Sequence, residues 1–193
     1  MCELLSGAYA GYGYTILRGK ERAMQSIDVA NYMIDKWGDK VVLTNLKLNK
    51  LVYFAQADSL RLTGAPLFDD EIQAWQYGPV EPEVYHSFSL FGRSRITRGT
   101  ARSSVGRSAA DIIDGVMKRF GNMTAFDLVN LSHDPAGAWA SVYSPDRDNV
   151  IGVADILHSG DVRDDRNDVV TFSQAAADAM GAMPNAMRLL ENS

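Results

Sequence analysis

Side chains able to carry out catalysis or hold a metal are few in this chain and poorly spaced for either task. The three histidines, His86, His133 and His158, stand far apart. None forms an H-E-x-x-H or H-x-H pattern, the spacings that bring two imidazoles to one zinc ion. His133 is followed directly by Asp134, and adjacent side chains on a helix point apart. Asp69, Asp70 and Glu71 form an acidic triplet, but the glycine-turn loop of an EF-hand is missing around it. There is no G-x-S-x-G elbow, no G-x-G-x-x-G after a strand and no Walker-type phosphate loop; Gly11-Tyr12-Gly13 lacks the third glycine. The single cysteine, Cys2, excludes an internal disulfide and any multi-cysteine metal site. These residues imply no catalytic group, no metal site and no cofactor. A hydrolase built on Asp69, Asp70 and His86 or His133 is the enzyme alternative.

The chemistry that the spacing does support is recognition. From Leu62 to Gly92 there is no Lys or Arg, while Asp69, Asp70, Glu71, Glu81 and Glu83 supply five carboxylates. From Val84 to Ala110 there is no Asp or Glu, while Arg93, Arg95, Arg98, Arg102 and Arg107 supply five guanidinium groups. One reading is a solvated surface with a flexible loop. The other is a polar recognition surface, because the arginine fork pairs bidentately with carboxylates and phosphates. Trp75, Tyr77, Gly78, Pro79 and Tyr85 make an aromatic cluster around a rigid corner. It reads as a packed strand-to-helix corner or as an anchor for a protein partner, since Trp, Tyr and Arg are enriched at interface hot spots.

The elements that must carry these groups are mainly helical. Ser26 is a suitable N-cap for a helix with Ile27, Ala30, Met33, Ile34 and Trp37 on one face, ending at Gly38, a residue that tolerates positive φ. Thr44 caps a stronger helix with Leu48, Leu51, Val52, Ala55 and Leu62 as its stripe, stopped at Gly64. Residues 71 to 77 alternate as a short strand broken by Gly78 and Pro79. Pro82 opens the next helix, and residues 93 to 107 read as a mobile loop. Further helices are expected from Ala109 to Gly121, after Thr124, around Trp139 and over Val153 to Leu157, with an acidic linker and tail helices beyond.

The fold class that follows is mainly α: one compact multi-helix domain with a short β element and weakly structured terminal extensions. The expected division is an extension over 1–25, a domain over 26–158, and a linker with tail over 159–193. Met24 reads as an alternative start, because the helical pattern begins after it. With 193 residues and 46% hydrophobic content the chain can bury a core without staples. A net charge of -5 argues against nucleic-acid binding driven by overall charge. Cysteine usage fits the cytoplasm, and no run approaches the roughly 18 apolar residues of a membrane span. A secretory leader is not expected, since Cys2 and Glu3 replace a basic flank and Gly7, Gly11 and Gly13 interrupt the apolar stretch.

Two long runs in order carry a resemblance. Leu43 through Gln56 (LTNLKLNKLVYFAQ) and Pro66 through Val80 (PLFDDEIQAWQYGPV), followed by Pro82, Val84 and Tyr85, resemble the two signatures of the Panacea domain, the SocA-like antitoxin family. Leu131, Ser132 and His133, with Trp139 beyond, form a looser third piece. The resemblance spans about residues 26 to 158. Asn49 stands where a glutamine is common in the first signature, and the N-terminal extension is not a family feature.

The resemblance implies a small, mostly helical bacterial or phage protein that serves as the antitoxin of a two-gene toxin–antitoxin module. Many members bind their toxin directly, whereas the SocA-like case hands the toxin to the ClpXP protease; no catalytic residue carries over. The expected partner is therefore a cognate protein toxin, with ClpX and a second copy of the chain as further partners, and with no membrane or nucleic acid. The alternatives are an adaptor using the acidic, lysine-free stretch after Lys118, and a DNA-binding regulator using the arginine run. The expected contact residues are Lys47, Lys50, Tyr53, Trp75, Tyr77, Tyr85, Arg93, Arg95 and Arg98. For Lys47 and Lys50, internal salt bridges to Asp69, Asp70 or Glu71 compete with contact to the toxin.

Overall fold

The computed structural model describes residues 24–102 and 105–163; residues 1–23 of the expected N-terminal extension and the expected tail helices lie outside the described residues. Among the described residues seven α-helices follow in the order α1 (Ser26–Trp37), α2 (Asn45–Thr63), α3 (Pro82–Ser87), α4 (Arg107–Phe120), α5 (Ala125–Ser132), α6 (Ala138–Val142) and α7 (Val153–Leu157). Three short strands complete the fold: β1 (Gln73–Trp75), β2 (Gly78–Val80) and β3 (Asn149–Val150). The domain is mainly helical with a minor β element, as its sequence implies.

Helix α2 occupies the centre. It starts where the Thr44 hydroxyl accepts the Lys47 N–H (3.3 Å), and it stops at Gly64, whose φ of +72° suits glycine. Fifteen of its nineteen residues are buried, and it packs on α1, α3, α4, α5, α7 and β2. A helix enclosed over most of its length, as α2 is up to Leu60, is normally apolar throughout that part. This one is not, and every polar side chain along it must therefore find a partner. The apolar stripe of α4, from Ile113 through Val116, Met117 and Phe120, covers one side. Asp114 ties that helix to α1 by accepting from Lys36 (2.6 Å) and Trp37 (2.9 Å). Asp58 of α2 accepts from Arg119 of α4. Gly38 ends α1 at a φ of -57°, so positive φ is not its reason for being there; a Cβ would lie 2.4 Å from the Ile34 carbonyl oxygen.

The sheet is antiparallel in the order β2-β1-β3, with Trp75 opposite Gly78 and Gln73 opposite both Val80 and Val150. Gly78 and Pro79 thus begin a second strand rather than end the first. A proline has no N–H to give a ladder, and β2 lies at the sheet edge, where none is needed. Gly78 takes a φ of +96°, and a Cβ there would lie 2.5 Å from the Ser132 hydroxyl and 3.0 Å from Lys50 Cε.

The stretch expected to be a mobile loop is a pinned strap over its described part. Ile96 is fully buried, and its N–H donates to the Leu43 carbonyl (2.8 Å). Arg95 donates to the Gly38 carbonyl. Thr100 is held at both ends by Asn31, which accepts its N–H (2.8 Å) and donates to its hydroxyl (3.1 Å). The fold also runs on past residue 158, since Asp161 is buried against α2. Because Ile96 is fully buried, Ile96→Ala should cost about 2–5 kcal/mol in urea unfolding. A loss below about 0.5 kcal/mol, the size of an ordinary surface substitution, would show that the strap is held by its hydrogen bonds alone.

Candidate functional site

Along α2 the polar side chains serve the backbone of neighbouring segments. Asn45 donates to the Tyr85 carbonyl (2.9 Å), and Asn49 accepts the Glu81 N–H (3.2 Å). Gln56 donates to the Phe68 carbonyl (2.9 Å) and accepts the Leu67 N–H (2.7 Å). Lys47 donates to the Gly121 carbonyl (2.7 Å) and Lys50 to the Pro79 carbonyl (2.8 Å). Neither lysine forms the expected internal salt bridge with Asp69, Asp70 or Glu71. Both are also turned away from any partner, with Lys50 0% exposed. Tyr53, the third α2 residue expected at the contact, is 1% exposed and donates to Asp161 (2.5 Å). The physical reason is the central position of α2, which leaves these three no face toward solvent.

Asp161 is a residue that sequence reasoning missed. Besides the Tyr53 hydroxyl it accepts the Ala138 N–H (2.7 Å), so one buried carboxylate joins α2 to the start of α6. Nothing in its sequence surroundings separates it from the other acidic residues nearby. Ser132, His133 and Trp139, the looser third piece, sit beside Lys50 and the hairpin. The His133 ring stacks on Trp139 at 3.8 Å, and Trp139 stacks on Tyr143 at 4.5 Å. Trp139 Nε1 donates to the Trp75 carbonyl (2.9 Å), which fixes the hairpin against α6. Burial pushes the His133 imidazole below its ordinary range, and the nearby Lys50 adds to the effect.

What faces outward is the rest of the expected set. Trp75 is half-buried and meets Tyr85 edge-on at 4.9 Å. Tyr85 is 38% exposed and Tyr77, at the hairpin turn, is 57% exposed. His86 stands edge-on to Tyr85 at 5.4 Å, which continues the aromatic corner along α3. After α3 the chain makes one tight turn over Ser89–Phe91, and Arg93, Arg95 and Arg98 follow on the exposed strap. The structure therefore separates the nine expected contact residues into two groups. Trp75, Tyr77, Tyr85, Arg93, Arg95 and Arg98 lie at least partly at the surface; Lys47, Lys50 and Tyr53 hold the core behind them. Among the described residues no group of three or more His, Cys, Asp or Glu side chains is arranged to hold a metal ion. Among the same residues no helix is long and apolar enough to cross a membrane.

Burial of Lys50 pushes its ammonium down from 10.5 to about 7. The unfolded chain keeps that proton up to about 10.5, so between about 7 and 10.5 the unfolded state holds more protons than the folded one. Stability should rise with pH through this window, with a slope approaching ~1.4 kcal/mol per pH unit. Lys50→Met removes the titrating group, and its urea-unfolding free energy between pH 7 and 10 should lack that rise. Equal slopes for the two proteins would mean that the lysine keeps an ordinary proton affinity.

The family model described as "Antitoxin SocA-like, Panacea domain" matches residues 48–140, a stretch that runs from Leu48 in α2 to Ala140 in α6. It therefore takes in Lys50, Tyr53, the hairpin, the aromatic corner, the strap and the His133–Trp139 stack, and leaves out Asp161. Antitoxin SocA of Caulobacter vibrioides (strain NA1000 / CB15N) is 33% identical over 131 residues, which cover 60% of this chain and 70% of that protein. No solved structure matches. With its signature residues gathered around one buried helix and a relative of this similarity aligned over most of its length, the chain belongs to the SocA-like antitoxin family with a Panacea domain.

Proposed function

We propose that this protein is the antitoxin of a toxin–antitoxin module and neutralises a cognate toxin by binding it directly in the cytoplasm. The observation that carries the reading is the division of the signature residues. The polar groups of α2 are consumed in holding the fold, and what the domain presents outward is an aromatic corner followed by an arginine strap. Such a surface suits protein recognition: tyrosines bury large area at low entropy cost, and arginine forks pair with carboxylates at a partner's rim. The mechanism is occlusion of the toxin's active site or of its substrate-binding surface, without chemistry on the antitoxin's side. A stable complex of this type buries about 1,200–2,000 Å² in total.

The test is coexpression with each adjacent small open reading frame, scored by growth and by copurification. Rescue of a toxic neighbour with a stable one-to-one assembly is the expected result. The double variant Tyr77→Ala and Tyr85→Ala should weaken the complex about thirtyfold, as for the loss of about 2 kcal/mol at a hot spot, while the melting temperature changes little. Rescue without a complex, accompanied by rising toxin levels in a host lacking ClpX or ClpP, would replace occlusion by delivery to the protease. No toxic neighbour would overturn the antitoxin reading.

A further inference from the structure

A groove of about 490 Å³ lies between the end of α3 and the strap, lined by Phe88, Leu90, Phe91, Arg98 and Thr100 among others. Its two sides differ in character. Phe88 is buried and Phe91 half-buried, so one wall is aromatic, and beside it Leu90 is 99% exposed. A leucine wholly in water next to an aromatic wall is the anchor that a bound side chain would cover. The opposite wall is polar and already fixed. Asn31 holds Thr100 by its N–H and its hydroxyl, and a Cβ on Gly99 would meet Asn31 Oδ1 at 2.6 Å. A wall held in this way loses little freedom when a ligand seats against it.

Charge decides what the ligand is. No acidic residue occurs from Val84 to Ala110, and Arg98 lines the groove itself while Arg93, Arg95 and Arg102 flank it in sequence. Among the described residues Arg95 is the member of this set that reaches a carboxylate, Asp39 at 4.0 Å. Among the described residues Arg93, Arg98 and Arg102 form no ion pair, which leaves their forks for an outside acceptor. A nucleic-acid backbone fits less well than a peptide. The chain carries a net charge of -5, and the groove wall is aliphatic and aromatic.

We propose that this groove seats an acidic segment of the protein partner, with one leucine or aromatic side chain against Leu90 and Phe91 and neighbouring carboxylates on Arg98 and the adjoining arginines. The proposal rests on the antitoxin reading for the identity of that partner and adds the chemistry by which it is held.

The test uses the full chain and a phage-displayed library of random peptides, selected on the immobilised protein and counter-selected on the double variant Leu90→Ser and Arg98→Glu. Both side chains are exposed, so the variant should melt with the wild type. The expected result is enrichment of peptides that combine several Asp or Glu residues with a Leu, Phe or Trp. A synthetic peptide of the enriched sequence should bind the double variant at least about tenfold more weakly. Its affinity should drop comparably when the apolar anchor is replaced by Ala. No enrichment above the counter-selection, enrichment of basic peptides, or tighter binding of a labelled single-stranded oligonucleotide than of any peptide would each overturn the proposal. Growth rescue separates this proposal from the broader reading. If the double variant rescues the host as well as the wild type, the toxin is held elsewhere and the groove assignment fails while the antitoxin reading stands. If the wild type rescues from no neighbour while the enriched peptides still bind, the groove chemistry is supported and the antitoxin reading is the part that fails.

Discussion

A helix enclosed along most of its length must settle nearly every polar group it carries, and in this fold that demand falls on α2, which is buried up to Leu60. An unpaired buried amide or ammonium costs several times what a satisfied one contributes, so the sequence of α2 constrains the segments around it. Asn45, Lys47, Asn49, Lys50 and Gln56 each meet the backbone of a different or irregular stretch: the end of α3, the turn after α4, the entry to α3, the β2 strand and the Leu67–Phe68 approach to the sheet. Such stretches lack the internal ladders that satisfy a backbone. The helix lends them donors and acceptors, and they in turn neutralise its polar side chains. Tyr53 extends the same logic past α7 through Asp161.

The arrangement has a consequence for the surface. The hairpin cannot move without stranding Lys50, because the Pro79 carbonyl is the ammonium's partner and Gly78 lies against the lysine's last carbon. Trp139 adds a second tie through the Trp75 carbonyl. The aromatic corner is therefore carried on a rigid support, and so is the strap, which Ile96 and Asn31 pin from beneath. Rigid presentation matters for a binding module, since freedom lost on association subtracts directly from affinity. The proton affinity of Lys50 follows from the same burial: a neutral amine still donates to a carbonyl, while a charged one there bears the full desolvation cost.

Much of this was legible in the residue pattern, and the places where it was not have a common cause. Helices α2 and α4 follow from apolar spacing, and Thr44, Gly64 and Pro82 mark boundaries where the structure has them. Gly78 and Pro79 look like a break because both residues are rare in strands. They are tolerated because β2 is an edge strand that needs no proline N–H, and because its first residue sits at positive φ. The strap looks mobile because it contains little apolar surface, yet buried Ile96, the Arg95 bond to the Gly38 carbonyl and Asn31 of α1 hold it. Lys47 and Lys50 look like surface residues because lysine is almost never fully buried. Only the carbonyls of Gly121 and Pro79, brought near by tertiary structure, make their burial tolerable. Each miss is a residue whose environment is supplied by a segment distant in sequence, which local pattern does not contain.

The same division bears on what family membership says about a partner. The matched stretch begins in α2 and includes most of the tethers that fix the fold, so a match there reports the scaffold first. Lys50, Gln56, Gly78 and Trp139 are bound by internal contacts, and replacing any of them disturbs the domain before it disturbs a complex. Leu90, Tyr77 and Arg98 are under no such constraint: two are largely in water, and the third lines an open groove. Residues free of structural duty are those that can vary with the partner while the scaffold persists. A domain built in this way can keep one architecture and change its target by altering a few exposed side chains on the corner and the strap. On the proposed antitoxin reading, the choice of toxin is written in the part of the sequence that the fold does not need.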